Sequence, residues 1–581
     1  MERFAKLAAN ALNQALSLEV PVQATDLETP PDRTLGDFGY PCFRLSKQLR
    51  KGPPQVAQQI VADLESKHLV PPGLKAAAVG PYVNFTVEPQ AALQTLLKDI
   101  LTGSGVGTYG SLPAKSRGSW VLEYSSPNVA KPLNIYHLRT TALGAALDRI
   151  GTYRGFDVVS INHLGDWGKQ YGMLAVAFKH FGKKVSDPIT MAELVDLYVK
   201  INAEAEKNPA LNDEARENFL KLEKGDPEIT AFWKKCVDIS IAEFDRIYKR
   251  IGVKFDHIWG ESFYKNQLAA MVEDMRKKGV LVQSEGAWVI PVTDSNGKEI
   301  PPAIMIKSDG ATIYATRDMA AAIYRMEMFH FDRMTYIVGG EQKLHFQQVF
   351  GALKVMGLDW AKKCEHVSTG LYRFKDAKMS TRKGNFVTLE EVIDLAKERV
   401  TELMKERQKD NPHATADASV AEAVAVGAVI FFDLSTDPAR DVEFDVNRVV
   451  DFEGETGPYL QYAHTRCLSI LRKAHESGEL KGDVAFDPSK IALLKAPEEL
   501  ALVKTLGQFP VHLERTLHFA KASQLTSYMI DVTKSFGAFY RECHVLGEGE
   551  TTAARLMLVE ATRRVLAQGL KLIGIPLPER M

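Results

Sequence analysis

Apolar positions recur along the chain with two periods, and the changes between them mark the elements. Leu45, Leu49, Val56, Ile60 and Leu64 keep helical spacing, between the turn-rich Thr29-Pro30-Pro31-Asp32 and the strand-like Val83-Asn84-Phe85-Thr86. A small α+β domain over residues 1–112 is predicted, ending in the linker-like Thr102-Gly103-Ser104-Gly105-Val106-Gly107-Thr108. Next comes an apolar strand, Trp120 to Tyr124, and the loop Ser125-Ser126-Pro127-Asn128. A helix from about His137 follows, with the face Leu138, Ala142, Ala145, Ala146, Arg149 and Ile150, ending near Gly151. Val158 to Asn162 is again a strand.

This βαβ order predicts a parallel sheet over residues 113–387, with ligands beyond the carboxyl ends of the strands, where Glu123, Asn128, His137, Asn162 and His163 gather. A charged helical stretch from about 185 to 230 reads as an insertion, and Thr335-Tyr336-Ile337-Val338 with Gly339-Gly340-Glu341-Gln342 resumes the strand-loop pattern. From 388 the pattern is nearly all helix. Thr388-Leu389-Glu390-Glu391 fits a capping box opening the face Val392, Leu395, Ala396, Val400 and Leu403, and a helical bundle over 388–581 is predicted.

Composition narrows the class. With 581 residues, 45% apolar, 25% charged and a formal charge of −1, the chain is an ordinary multidomain globular protein rather than a disordered, collagenous or disulfide-stapled one. Because 72 basic residues balance 73 acidic ones, any polyanion must be met by local patches. Five scattered cysteines without a C-x-x-C pair read as reduced thiols, with no structural metal expected. The charged start Met1-Glu2-Arg3 and the shortness of the best apolar run, Ala423 to Phe432, predict a cytoplasmic protein with no membrane partner.

The strongest local chemistry is Lys378-Met379-Ser380-Thr381-Arg382-Lys383-Gly384, three cations and two hydroxyls in a loop. Charge alone would suit a solvated turn, whereas its functional reading is a clamp for a polyphosphate leaving group. Its residue order resembles the KMSKS motif of class I aminoacyl-tRNA synthetases, in the KMSTRKGNFVTL form of arginyl-tRNA synthetases. Other blocks are similar to the same family: Glu123 to Asn128 with Lys131-Pro132, Asn162 to Gly168, Gly260 to Tyr264, Tyr314 to Asp318, Gly340 to Gln342 with Leu344 to Phe346, Phe452 to His464, and Pro578 to Met581.

The resemblance implies a class I Rossmann-type catalytic domain between an amino-terminal tRNA-contacting domain and an all-α anticodon-binding bundle. It implies ATP-dependent charging of tRNA-Arg with L-arginine, Mg2+ accompanying ATP, and a monomer. By motif position Glu123, Asn128, Tyr314, Asp318 and Gln342 contact arginine. The chemistry is consistent, since a guanidinium offers five donors and no acceptor. Asn134, His137, Lys131, Lys378 and Arg382 take catalytic positions, and Tyr136, His137, Lys378, Met379, Ser380 and Lys383 contact ATP. Tyr459, Arg466 and Met581 fall at anticodon-contacting positions, Tyr82 and Asn84 near the segment reading the tRNA elbow.

One block departs from the family. Where it has His-x-Gly-His, this chain has Asn134-Ile135-Tyr136-His137, and Tyr136 is expected to crowd the nucleotide. Two readings follow: a working ligase, favoured because Lys131, His137, Lys378, Arg382 and Lys383 are retained, or a non-catalytic arginine- or tRNA-binding paralogue. An adenylyl transferase with another acceptor would be expected to lack the block 452 to 466.

Overall fold

The computed structural model describes residues 1–16, 20–28, 30, 32–102, 109–294, 296–308, 310–374, 387–410 and 417–581, with backbone alone at 25, 33, 44, 47, 48, 407, 409 and 410. The first unit is a three-stranded antiparallel sheet of β1 (Phe38–Pro41), β2 (Leu74–Val79) and β3 (Tyr82–Val87) in the order β1-β3-β2, packed by the helices Glu2–Ala15, Pro53–Ser66 and Pro89–Leu101. Alternation on β3 sends Val83, Phe85 and Val87 into the core shared with Val56, Ile60 and Leu64.

The central sheet is parallel throughout. β4 (Ser119–Glu123), β5 (Asp157–Asn162) and β6 (His257–Ile258) run to one side, and later strands fill the other. Between them lies an antiparallel meander of β7 (Val282–Ser284), β8 (Ala287–Thr293) and β9 (Glu299–Ile306); β10 (Arg333–Gly339) and β11 (Cys364–Thr369) then complete the order β11-β10-β4-β5-β6. Helices Met191–Lys207 and Ala210–Glu223 occupy the stretch read as an insertion, and Pro227–Arg250 runs on beyond it toward β6. The meander has its own core, in which Ile290, Ala303 and Met305 meet Met319, Val349 and Leu353.

The crossover helix between β4 and β5 is Ile135–Tyr153. It outlasts the predicted stop at Gly151, which is a packing glycine: a Cβ there would lie 2.9 Å from the Trp120 ring. Gly144 is tighter still, since a Cβ would lie 2.1 Å from the ring of Tyr124. These two glycines let the helix lie close on β4.

The predicted capping box is present, with Glu391 N–H donating to Thr388 Oγ1 at 3.1 Å and Thr388 N–H to the Glu391 carboxylate at 2.8 Å, opening Leu389–Asp410. Beyond it the helices Ala418–Leu434, Gly457–Glu476, Pro497–Leu506, Phe509–Phe519, Ser523–Glu542 and Glu550–Ile573 form the carboxyl-terminal bundle. Within this mostly helical stretch one short strand interrupts among the described residues: β13 (Val442–Phe444), which pairs in parallel with the earlier β12 (Tyr372–Phe374). Three residues are too few to display a period of two. The apolar run from Ala423 is a buried helix, and no helix among the described residues is long and apolar enough to cross a membrane.

Close packing at Gly144 has a measurable consequence. In Gly144→Ala the methyl must displace the Tyr124 ring, and urea unfolding is expected to show a loss of about 1–3 kcal/mol.

Candidate active site

In open α/β sheets the crevice opens where the strand order reverses, here between β4 and β10. β4 ends at Glu123, opposite Tyr336 of β10. The loop after β4 is unusually constrained: Ser125, Ser126 and Ala130 all have positive φ, at 71°, 50° and 61°. Side chains fix it, with Ser126 N–H donating to Asn162 Oδ1 at 3.1 Å, Ala130 N–H to Ser240 Oγ at 3.0 Å, and Ser125 Oγ 2.7 Å from the Tyr248 hydroxyl. Asn128 is exposed and bridges to Gly165, where a Cβ would fall 2.0 Å from Asn128 Oδ1.

Glu123 does not wait for a ligand alone. It is 5% exposed, and its carboxylate pairs at 2.5 Å with the guanidinium of Arg325, itself 0% exposed. Arg325 Nε donates to the Tyr264 hydroxyl at 3.1 Å. Glu261 in turn pairs with Arg317 at 2.6 Å. Of these three acids, only Asp318 has imidazoles as its ion-pair partners: His345 Nε2 at 2.5 Å from Oδ2, and His163 Nε2 at 3.7 Å from Oδ1. Burial works against the Asp318 charge, but the hydrogen bond and charge of His345, with His163 and Arg325 beyond, outweigh it and hold the carboxyl below its usual range.

Asp318 and Tyr314 lie in the first turns of the helix Tyr314–Phe329, and Gln342 ends the short 3₁₀ turn Gly340–Gln342 after β10. Tyr314 is 65% exposed, with the Arg317 guanidinium 5.8 Å from its ring, and Gln342 is exposed. The fold therefore brings Glu123, Asn128, Asp318, Tyr314 and Gln342 to the carboxyl ends of β4 and β10.

At the start of the crossover helix Asn134 is the N-cap. Its Oδ1 accepts from Tyr136 N–H at 3.1 Å, while its own N–H donates to His137 Nδ1 at 3.1 Å. That bond occupies the Nδ1 lone pair and leaves the proton of a neutral ring on Nε2. Burial pulls the His137 pKa down to about 4, with Lys131 assisting. His137 is thus a neutral donor, and Lys131 is exposed nearby.

Tyr136 is half-buried and meets Tyr372 edge-to-face, centroids 6.4 Å apart. Tyr372 donates from its hydroxyl to Asp433 at 2.6 Å, and Asp433 lies 3.7 Å from Arg139. Ile135 N–H donates to the Val387 carbonyl at 3.1 Å and Leu389 N–H to the Leu133 carbonyl at 2.9 Å. Both described flanks of 375–386 are therefore held against this helix start, Tyr372 by its ring and 387–389 by backbone. Lys378, Met379, Ser380, Arg382 and Lys383 themselves lie outside the described residues.

With this geometry the comparisons with known proteins agree along the entire chain. The family descriptions that match are "Arginyl tRNA synthetase N terminal domain" over residues 2–87, "tRNA synthetases class I (R), catalytic domain" over 106–446 and "DALR anticodon binding domain" over 460–581. An arginine–tRNA ligase of Clostridium kluyveri is 42% identical over 585 residues, covering 100% of both chains, and one of Clostridium botulinum is 40% identical over 581 with the same coverage. The chain belongs to the arginyl-tRNA synthetase family. Among solved structures, that of the Thermus thermophilus arginyl-tRNA synthetase superposes with a TM-score of 0.82 at 26% identity, covering 100% of both chains. The Plasmodium falciparum arginyl-tRNA synthetase gives the same TM-score at 22% identity, with 100% of this chain and 98% of that one covered, a likeness of fold.

The other synthetase positions are dispersed. In the bundle Arg466 lies between Tyr462 and Tyr540, 4.9 and 5.1 Å from their rings, and with Met581 lines a cavity of about 1040 Å³. Tyr459 lies at the start of the same helix, half-buried against the core. On β3, Tyr82 packs edge-on to exposed Phe43, whereas Asn84 is 4% exposed and donates to the Leu35 carbonyl at 2.9 Å.

Arg325 and Tyr372 are site neighbours that sequence reasoning did not name, and Tyr264 and His345 entered it only as members of motif blocks, without a role. A signal for Arg325 existed: it lies seven residues after Asp318, on the same helical face, amid buried alanines.

The His137 geometry is testable. An NMR titration of its Cε1 resonance is expected to show no change between pH 5.5 and 8.5, the proton being taken up only near pH 4.

Proposed function

We propose that the chain charges tRNA-Arg with L-arginine in two steps, consuming ATP. The arginine carboxylate attacks the α-phosphorus of ATP and pyrophosphate leaves with the electron pair of the broken bond. A terminal ribose hydroxyl of the tRNA then attacks the arginyl carbonyl and AMP departs. No side chain forms a covalent intermediate, so the residues position groups and meet developing charge.

The observation that carries this reading is the convergence, at the carboxyl end of the sheet, of Asp318 with a capped helix start that presents neutral His137. Asp318 receives the substrate guanidinium. Glu123, with Arg325 already on one oxygen, joins Asn128 and Gln342 in accepting from the α-ammonium, and Tyr314 covers the bound amino acid. His137 Nε2–H, Lys131 and the positive end of the helix dipole meet the α-phosphate, while Asn134 acts through the cap. Tyr136, its edge on Tyr372, gives the adenine a ring to stack on.

Lys378, Arg382 and Lys383 neutralise the departing pyrophosphate, and Met379 and Ser380 line the nucleotide. Mg2+ travels with ATP, held by phosphate and water; among the described residues no group of three or more His, Cys, Asp or Glu side chains could hold a metal ion. Arg466, Met581 and Tyr459 read the anticodon region by stacking and phosphate pairing. Tyr82 touches the tRNA elbow, and Asn84 supports the turn beneath it. The protein works as a cytoplasmic monomer.

The test is charging of a tRNA-Arg transcript with radiolabelled arginine. ATP-dependent charging is expected from the native chain, with Asp318→Asn lowering kcat/KM for arginine by about 2–5 kcal/mol, roughly 30-fold or more. Tight arginine binding without charging, restored by Tyr136→Gly, would instead identify a paralogue disabled at its nucleotide site.

A further inference from the structure

Asp318 receives a cation in the reading above, yet one of its oxygens is already engaged within the protein. His345, from the first turn of the helix Lys343–Val355, places Nε2 2.5 Å from Oδ2. We infer that His345 is a positioning residue for arginine: as a neutral ring it donates to Asp318 and fixes the carboxylate for the guanidinium, and as an imidazolium it competes with that guanidinium for the same charge.

The proposal rests on Asp318 being the guanidinium receptor, and its physical basis is charge balance. Glu123 is spent on Arg325 and Glu261 on Arg317, so the −1 of Asp318 is the charge left over among these three acids. A neutral His345 leaves it intact, whereas a protonated one cancels it and places a second cation beside the incoming one in a partly desolvated pocket. A carboxylate with one oxygen held by a donor is also preorganised, so a guanidinium loses less on binding to it.

Among the described residues, the charged or titratable groups around His345 come from several elements. From the helix Tyr314–Phe329 come Asp318 and, behind it, Arg325; from β4 comes Glu123; from the loop after β5 comes His163, whose Nδ1 lies 3.0 Å from the Trp259 carbonyl. From β11 comes His366, depressed below its ordinary value by burial and bonded to the Val338 carbonyl at 3.1 Å; from its own turn come Glu341 and Lys343. Burial disfavours charge on His345, but the Asp318 hydrogen bond and the negative charges of Asp318 and Glu123 prevail and raise its pKa above the ordinary 6.5. The sign follows: the competing proton is present below that raised value and is lost as pH climbs through it, so arginine binds more tightly on the alkaline side.

The experiment uses the full chain, with arginine affinity measured by calorimetry and arginine KM and kcat in charging, from pH 6.0 to 8.5. In the native chain KM is expected to rise toward about tenfold per pH unit on the acid side, with kcat moving little. In His345→Gln, whose amide keeps a donor but takes no proton, that slope disappears. In His345→Ala, where Asp318 is no longer held, KM is raised at pH 8.5 as well. By reciprocity, saturating arginine lowers the His345 midpoint seen by NMR.

A native slope persisting in His345→Gln, native KM in His345→Ala at pH 8.5, or a His345 midpoint indifferent to arginine would each overturn the proposal. Asp318→Asn, checked for folding by circular dichroism, separates the premise from the inference. Native arginine affinity in that variant removes Asp318 as receptor, whereas lost affinity there with an unchanged His345→Gln slope rejects the role of His345 alone.

Discussion

A guanidinium cannot be buried without partners, and the burial of Arg325 organises the pocket around it. An unpaired cation in that position would cost several kcal/mol, so Glu123 at the end of β4 and Tyr264 after β6 are drawn to it. This ties the helix Tyr314–Phe329 to the middle of the sheet and sets where Asp318, two turns earlier, must stand. The pair also removes a charge: with Glu123 balanced by Arg325 and Glu261 by Arg317, Asp318 is the one of these three acids left without an arginine partner. With Asp318 as the receptor proposed above, a side chain of one positive charge is favoured and neutral or acidic ones penalised, because each would leave Asp318 desolvated without a partner.

A second buried pair links the nucleotide end of the site to the bundle. Arg139, one turn into the crossover helix, lies against Asp433 on Ala418–Leu434, and Asp433 also accepts from Tyr372 beside Tyr136. Both partners of the pair are almost wholly inaccessible. Displacing the helix Ala418–Leu434 from the crossover helix would strand a charge on each side. The helix that presents His137 and the domain that carries Arg466 are thus held in one arrangement by interactions that tolerate little slippage.

Much of this was legible in the sequence, for reasons particular to each element. The βαβ unit could be read because Trp120 to Tyr124 and Val158 to Asn162 are short apolar runs separated by a helical face, and the Thr388 capping box because its two residues satisfy each other locally. The meander β7–β9 was not, since Pro301 and Pro302 interrupt β9 and its core is shared with distant helices. At the site, motif order led to Asp318, Glu123 and His137, but Arg325 and His345 acquire meaning only through partners 202 and 27 residues away. Lys378 to Lys383 stay where the sequence left them, a charged motif between two anchored flanks.

The departure at Asn134-Ile135-Tyr136-His137 is best weighed by asking what the helix start physically requires. It needs a cap for its unsatisfied N–H groups, a donor aimed at the phosphate, and space for a nucleotide. Asparagine is among the strongest N-caps, and here its side chain and main chain together secure both the first turn and the Nδ1 of His137. Because Nδ1 is satisfied from within the turn, Nε2–H is aimed without any need for positive charge, and a first histidine at position 134 is dispensable for that purpose. Space is the remaining requirement, and there the Tyr136 ring meets Tyr372 edge-to-face, with the Tyr372 hydroxyl anchored on Asp433. A glycine clears room by having no side chain; this tyrosine instead has a neighbour, Tyr372, against its ring, and in the function proposed above that ring is the surface on which the adenine stacks.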